Sequence, residues 1–367
     1  MAKKYRVGII GSTGRGDYGH ATDKAFNNLP NVEVVAVADT DEEGRKKAQQ
    51  RTHAPRSYAD YHKMLKTESP DIVGICPRWI GEHHEMLMAS AEAGCHIYME
   101  KPFCRTLKEC DEVVAALQMR HLKLGIAHTT QYSPVVDKVR EIIAAGQIGE
   151  VLEVRARGKE DRRGGGLDLW VLGTHVLTLM RTFGGNPSSC SATVSFEGQP
   201  VSKDNIFEAP EGIGLIAGDR LHAVYQLENG VVGQFASVKN RRGDPTRFGL
   251  MIYGSQGIVE LQSGYLRPAY ILEDSSWSPG RTGSQWQTIS SAGIGQPEPR
   301  TDGDYDGGHK AAIRDLIHAI ENQVDTKCSE VECRTTVEMI VSVFESNRVG
   351  APVPLPLATR VNPLTLY

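Results

Sequence analysis

The sequence predicts an α/β protein in two parts. Residues 1–128 read as a doubly wound parallel sheet, and residues 129–367 as an α+β unit on a mostly antiparallel open sheet. Three observations carry this. Between Tyr5 and Ala127, short β-branched runs alternate with helical segments, as a parallel sheet with crossover helices requires. A cluster of glycines, Gly11, Gly14, Gly16 and Gly19, follows the first run directly. After Glu150 the alternation stops and hairpin signals replace it: Glu228-Asn229-Gly230, then Gly254-Ser255-Gln256-Gly257.

Taken in order, residues 5–10 form a buried first strand and 22–28 the first helix. Residues 31–38, NVEVVAVA, form the second strand, and the charged segment 41–51 a solvated helix. A short helix covers 58–66. The third strand, 71–76, is followed by a helix over 83–93 that Gly94 closes. The fourth strand is 95–99. Thr106 and Glu109 make a capping box that opens a helix to Arg120, and 123–127 is the fifth strand. In the second part, 151–158 is a strand, 167–183 a helix, and 221–239 and 248–261 are hairpins. The glycine- and proline-rich stretch 275–308 reads as a long loop. Helices over 310–321 and 330–348 and an extended tail, 352–357, complete the chain.

Composition narrows the function. Hydrophobic residues make up 40% of the 367 and charged residues 23%, as in ordinary globular proteins, and the net charge is −4. Neither a nucleic-acid partner nor a membrane is indicated. The N-terminus runs straight into the first strand without a signal-peptide pattern, so a cytoplasmic location is expected. Seven cysteines, an odd number without a CxxC pair, fit free thiols in a reducing compartment. His83 and His84 are adjacent and diverge on a helix, and HExxH is missing, so no metal is expected.

A strand, a glycine turn and a helix starting near His20 together make a dinucleotide pyrophosphate site, because the turn lets the backbone approach and the helix N-terminus favours an anion. The alternative is a plain glycine-rich turn. The literal GxGxxG, Gly14 to Gly19, starts three residues late, which implies a lengthened loop from Gly11 to Gly19. Asp39, twenty residues after Gly19 at the tip of the second strand, is placed to accept the ribose hydroxyls. Its charge repels a 2′-phosphate and favours NAD over NADP, although Arg15 or Arg45 could offset it. Cofactor contacts are assigned to Gly11, Ser12, Thr13, Gly14, Arg15, Gly16 and Asp39, to Cys76 and Pro77 after the third strand, and to Glu100 and Lys101 after the fourth. Lys101, at a strand end that lines the crevice, suits proton transfer; an ion pair of Glu100 with Lys101 is the simpler alternative.

With these residues in place, the sequence resembles the Gfo/Idh/MocA oxidoreductase family. The order VGIIG, Asp39, His83 with Gly94, Glu100-Lys101-Pro102, Gly146-Gln147-Ile148-Gly149, Asn229-Gly230, Gly254 to Gly257 and the closing PVPLPL carries the resemblance over essentially the whole chain. It implies NAD(P)-dependent oxidation or reduction of a sugar, polyol or glycoside, with Lys101 at the nicotinamide ribose and substrate and His175 as acid/base. It also implies a homodimer or homotetramer. The family's D-x-x-x-H departs here, since Val171 stands four residues before His175 and Asp168 seven. On a regular helix Asp168 and His175 share a face, which makes Asp168 a candidate sugar ligand. Arg163, Trp170 and Tyr132 are further substrate candidates, with Gln131 beside them. Simpler alternatives are a core histidine at 175 and a solvated charged loop at 159–163. Two rival functions are an NAD-dependent glycosidase or lyase working by transient oxidation, and a dinucleotide-binding sensor without turnover.

Overall fold

The computed structural model describes residues 3–303 and 305–367. The chain divides into two compact units. The first comprises Met1–Thr129, Pro210–Gly214 and Tyr305–Thr335, and the second Thr130–Ala209, Leu215–Asp304 and Thr336–Tyr367.

The first unit is built on six parallel strands: β1 (Tyr5–Ile10), β2 (Val32–Ala38), β3 (Arg56–Tyr58), β4 (Ile72–Ile75), β5 (His96–Met99) and β6 (Leu124–Ile126), in the order β3-β2-β1-β4-β5-β6. The order reverses between β1 and β4, and the carboxyl ends of the strands open a crevice there. β4 is buried along its whole length and β1 and β2 nearly so, because helices cover both faces. Those helices are α1 (Glu42–Thr52), α2 (Tyr61–Glu68), α3 (Ile80–Glu92) and α4 (Leu107–Met119). Side chains fix three of their starts: Asp41 accepts from the Gly44 amide, Asp60 from the His62 amide and Thr106 from the Glu109 amide. β3 was not expected. It is three residues long and mostly exposed, so no hydrophobic period marks it. The helix Tyr305–Asn322 packs on β5 and β6. It joins this unit although it lies far along the chain.

The first helix is a correction. Residues 22–28 hold only a 3₁₀ turn, Thr22–Phe26, and no α-helix begins near His20. Asp17, Gly19 and Ala21 all take positive φ, 53°, 60° and 61°, and this breaks helical entry three times in five residues.

In the second unit an eleven-stranded sheet runs Gly293–Ile294, Gln287–Ser290, Ala269–Leu272, Gly257–Gln262, Gly249–Gly254, Val151–Arg157, Val232–Val238, Arg220–Leu227, Pro187–Phe196, Val353–Pro354, with Gln199–Pro200 paired to Pro187–Phe196. Neighbours are antiparallel except Val151–Arg157 with Val232–Val238. Burial alternates residue by residue along Arg220–Leu227, so one face of that strand is core. The stretch expected as a loop, 275–308, contributes the last two short strands at one end of the sheet and the helical turn Pro279–Thr282. The helix expected over 167–183 runs instead as Gly166–Asp168, a π segment Leu169–Gly173, and Thr174–Gly184. Among the described residues, no helix is long and apolar enough to cross a membrane.

Candidate active site

A cleft of about 560 Å³ opens at the ends of β1 and β2. Gly11, Ser12, Thr13 and Arg15 form one wall, Asp39 and Thr40 the base, and Ala59, Tyr61 and Met86 an apolar side. Gly11 is required: a Cβ there would sit 2.1 Å from the Tyr18 ring, which folds beneath the loop. Gly16, at φ 81°, brings its backbone against the Arg78 amide, 2.4 Å from where a Cβ would lie. The lengthened loop closes as a small hairpin. The Ser12 amide donates to the Asp17 carbonyl and the Asp17 amide returns to the Ser12 carbonyl, at 3.2 and 3.0 Å.

Asp39 is buried at the cleft base, 2% exposed. Its carboxylate accepts from the Thr13 amide (3.1 Å), the Thr13 hydroxyl (2.7 Å) and the Asp41 amide (3.0 Å). Thr13 reaches it because residue 44 is glycine; a Cβ there would lie 1.9 Å from Thr13 Oγ1. A ribose hydroxyl bound at this carboxylate would share it with Thr13. The candidate counter-charges are both engaged. Arg15 pairs with Glu82 at 2.9 Å, and Arg45 donates to the Asp39 main-chain carbonyl at 2.6 Å. With Glu82 and Glu85 also lining the cleft, three carboxylates face it against one arginine. The shape and charge fit the adenosine half of NAD and oppose a 2′-phosphate.

After β4, the Cys76 thiol points into the core and burial pushes it well up. Only its backbone reaches the loop: a Cβ on Gly19 would lie 2.7 Å from the Cys76 carbonyl. Behind Pro77, the fully buried His83 ring sits between the Pro77 and Pro102 carbonyls, 2.8 Å from each. It ties the loop after β4 to the loop after β5.

Glu100 is 1% exposed and contacts His20 Nδ1, and it accepts from the Lys101 amide at 3.0 Å. Burial alone would raise its carboxyl; His20, Lys101 and His309 outweigh that and hold it well below the usual range. Lys101 is itself buried. His309 lies 2.6 Å by Nδ1 from the Tyr98 hydroxyl. Neither His20 nor His309 stands among the site residues that the sequence suggested. The signals available were a histidine closing the glycine loop and another after a Gly-Gly pair.

In the second unit, His175 stands on Thr174–Gly184 with its ring edge-on to Phe248, centroids 6.4 Å apart. The other substrate candidates on this helix are corrected. Asp168 is fully buried. It accepts from the Ser237 hydroxyl (2.5 Å) and the Glu160 and Lys159 amides (3.1 and 3.3 Å). The π segment widens the turn between Asp168 and His175, so the phase of a regular α-helix no longer holds. Trp170 is 1% exposed and belongs to the core, so it offers no stacking surface. Arg163 is half-buried and forked onto Asp161, whose carboxyl this arginine holds down at about 2. Tyr132 is buried, and Gln131 bonds Thr182 at 2.7 Å. No group of three or more His, Cys, Asp or Glu among the described residues could hold a metal.

Comparison with known proteins identifies the family. Two family models match: an oxidoreductase family with an NAD-binding Rossmann fold over residues 5–128, and its C-terminal alpha/beta domain over 140–355. An uncharacterized oxidoreductase, YrbE of Bacillus subtilis, is 27% identical over 162 residues, 44% of this chain and 46% of that protein. The matched stretch thus spans less than half of that relative. Levoglucosan dehydrogenase of Pseudarthrobacter phenanthrenivorans is 24% identical over 291 residues, 69% of this chain and 72% of its own. Among solved structures, a levoglucosan dehydrogenase in complex with NADH and levoglucosan superposes with a TM-score of 0.78 at 20% identity, covering 97% of this chain and 100% of that one. The fold, the carboxylate-based cleft and both family matches lead to one statement: the chain belongs to the Gfo/Idh/MocA family of NAD-dependent oxidoreductases.

Proposed function

We propose that the protein transfers a hydride between NAD and a hydroxyl-bearing carbon of a sugar, polyol or glycoside. Residues 1–128 would bind the cofactor and 129–367 the substrate. The observation that carries this is the cleft at β1 and β2, whose Asp39 base and carboxylate rim suit an unphosphorylated adenosine ribose. When bound, the nicotinamide supplies the hydride acceptor. The chain supplies the rest. Asp39 and Thr13 position the ribose. The loop from Gly11 to Gly16 carries the cofactor's phosphates. Glu100, in contact with His20, stays anionic and accepts from the Lys101 amide, which fixes the start of the loop after β5. We assign the substrate hydroxyl proton to His175 or Lys101. Relatives named as dehydrogenases of levoglucosan and inositol support the carbohydrate class.

All seven cysteines are free and buried, which supports a reducing, cytoplasmic location. A homodimer or homotetramer is our reading of the assembly. The test is spectrophotometric: NAD with a panel of sugars, anhydrosugars and inositols should give substrate-dependent absorbance of reduced nicotinamide. A cofactor-loaded protein that reduces no NAD across the panel would overturn the assignment.

A further inference from the structure

Two loops of the second unit hold a concentration of positive charge that the hydride-transfer assignment does not use. Residues 157–163 carry Arg157, Lys159, Arg162 and Arg163; residues 239–247 carry Lys239, Arg241, Arg242 and Arg247. Against these eight cations stand three carboxylates, Glu160, Asp161 and Asp244, in a chain whose net charge is −4. Two of the three are consumed within the loops. Glu160 is 1% exposed and pairs with Arg157 and Arg247, and Asp161 pairs with Arg163. No ion pair engages Lys159, Arg162, Lys239, Arg241 or Arg242 among the described residues, and all but the half-buried Lys159 are exposed.

These loops are locked to each other. The Asn240 amide donates to the Asp161 carbonyl (3.0 Å) and the Arg241 amide to the Glu160 carbonyl (2.9 Å). Glu160 and Asn240 both hold the left-handed region, at φ 58° and 57°, a cost that the surrounding bonds must offset. Gly164 packs on the Lys239 backbone, where a Cβ would come within 2.2 Å. Asp168 and Ser237 clamp the base of both loops through the Lys159 and Glu160 amides. Such fixing keeps like charges together at a defined place, which a solvated surface run does not need.

That place adjoins His175. Phe248, whose ring meets the His175 ring, directly follows Arg247, and the clamp residue Asp168 lies on the same helical run as His175. Arginine forks match the planar oxygens of carboxylate and phosphate.

We infer that the 157–163 and 239–247 loops bind an anionic group of the substrate, so that the enzyme acts on a carboxylated or phosphorylated carbohydrate. This rests on the hydride-transfer reading above and deepens it. The field of this lip also steers such a substrate, and the effect weakens with salt.

The test uses the full chain with NAD and three probes: D-glucose, D-glucuronate and D-glucose 6-phosphate. Reduced nicotinamide is followed by absorbance, and binding by calorimetry with NADH present. At least one anion should show kcat/KM or affinity tenfold or more above glucose, falling severalfold between 50 and 300 mM salt. Which anion wins distinguishes the carboxylate from the phosphate. In the double variant Arg241→Gln, Arg242→Gln, the preference should narrow to about twofold. Lys203→Gln, Arg281→Gln, which removes two cations elsewhere, should keep it. Anion binding without NAD reduction would support the lip and overturn hydride transfer. Turnover of glucose with no anion preference would overturn the lip and keep hydride transfer. Neither anion binding, or single-stranded DNA binding as tightly as either, would overturn the substrate assignment of the loops.

Discussion

Asp168 bonds Ser237 across 2.5 Å inside the second unit, and the carboxylate thereby organises the loop ahead of it. The same carboxylate holds the Lys159 and Glu160 amides. It is a positioning residue, and burial, partly offset by Ser237 and the two amides, raises its pKa.

Asp168→Ala should therefore cost stability, because two amides and a hydroxyl lose their acceptor at once. A loss of about 2–4 kcal/mol is expected from buried donors left without a partner. Urea denaturation of parent and variant measures it. An unchanged midpoint would return Asp168 to the substrate.

Cofactor preference should depend on carboxylates. Glu82→Gln releases Arg15 from its ion pair at the cleft rim and should raise the ratio of NADP to NAD affinity about threefold to tenfold. Asp39→Asn should raise it further and also lower the melting temperature, since Thr13 loses a charged acceptor. Fluorescence titration with both reduced cofactors decides this; an NADP preference in the parent would remove Asp39 from the ribose site.

Acid stability follows from two histidines. Burial lowers His96 to about 4, where its Nδ1 accepts from the Lys123 amide, and His128 to about 3. Their folded values lie below the ordinary 6.5, so the unfolded chain binds more protons in between. Their contribution is complete above pH 6.5 and is lost as pH falls toward 4 and 3. Glu100 adds a second loss: its depressed carboxyl stabilises the fold above the ordinary 4.5 and loses that as pH falls further. His96→Gln keeps an acceptor for Lys123 and should flatten the decline between pH 6.5 and 4. Thermal melts across that range test it, and a parallel decline in parent and variant would sink the assignment.

How much of this was legible in the sequence follows from what generates each signal. β1, β2, β4 and β5 were readable because strands buried on both faces are continuous apolar runs. β3 was not, being short, exposed and at the sheet edge. Lys101 sits at the end of β5, as its place after an apolar run implied. The 3₁₀ turn after the glycine loop was hidden, because positive φ at Asp17 and Ala21 leaves no mark in residue type. The π segment was hidden for a related reason: Leu169 to Gly173 keep an apolar pattern that fits either helical form. That one register change moved Asp168 from candidate ligand to clamp. Thr13 reaching Asp39 depended on a missing side chain at Gly44, a contact between positions far apart in the chain that no local motif records.

The final prediction separates the two proton-handling candidates. Lys101 is buried beside an anionic Glu100, while His175 is half-buried against an aromatic edge. If both act on the substrate hydroxyl, each substitution should lower kcat more than it weakens cofactor binding, because the interaction is strongest as the proton moves. Lys101→Met, close in length and without charge, should lower kcat by about two to four orders of magnitude, the range for loss of a general acid or base. It should change NAD affinity by severalfold at most. His175→Asn should lower kcat by a similar factor and remove a limb of the kcat/KM profile against pH. A core histidine would instead give a lowered melting temperature with the pH profile intact. Stability and pH profile measured on the same preparation distinguish these outcomes, and a His175→Asn enzyme with parent-like kcat and profile leaves Lys101 as the only candidate of the two.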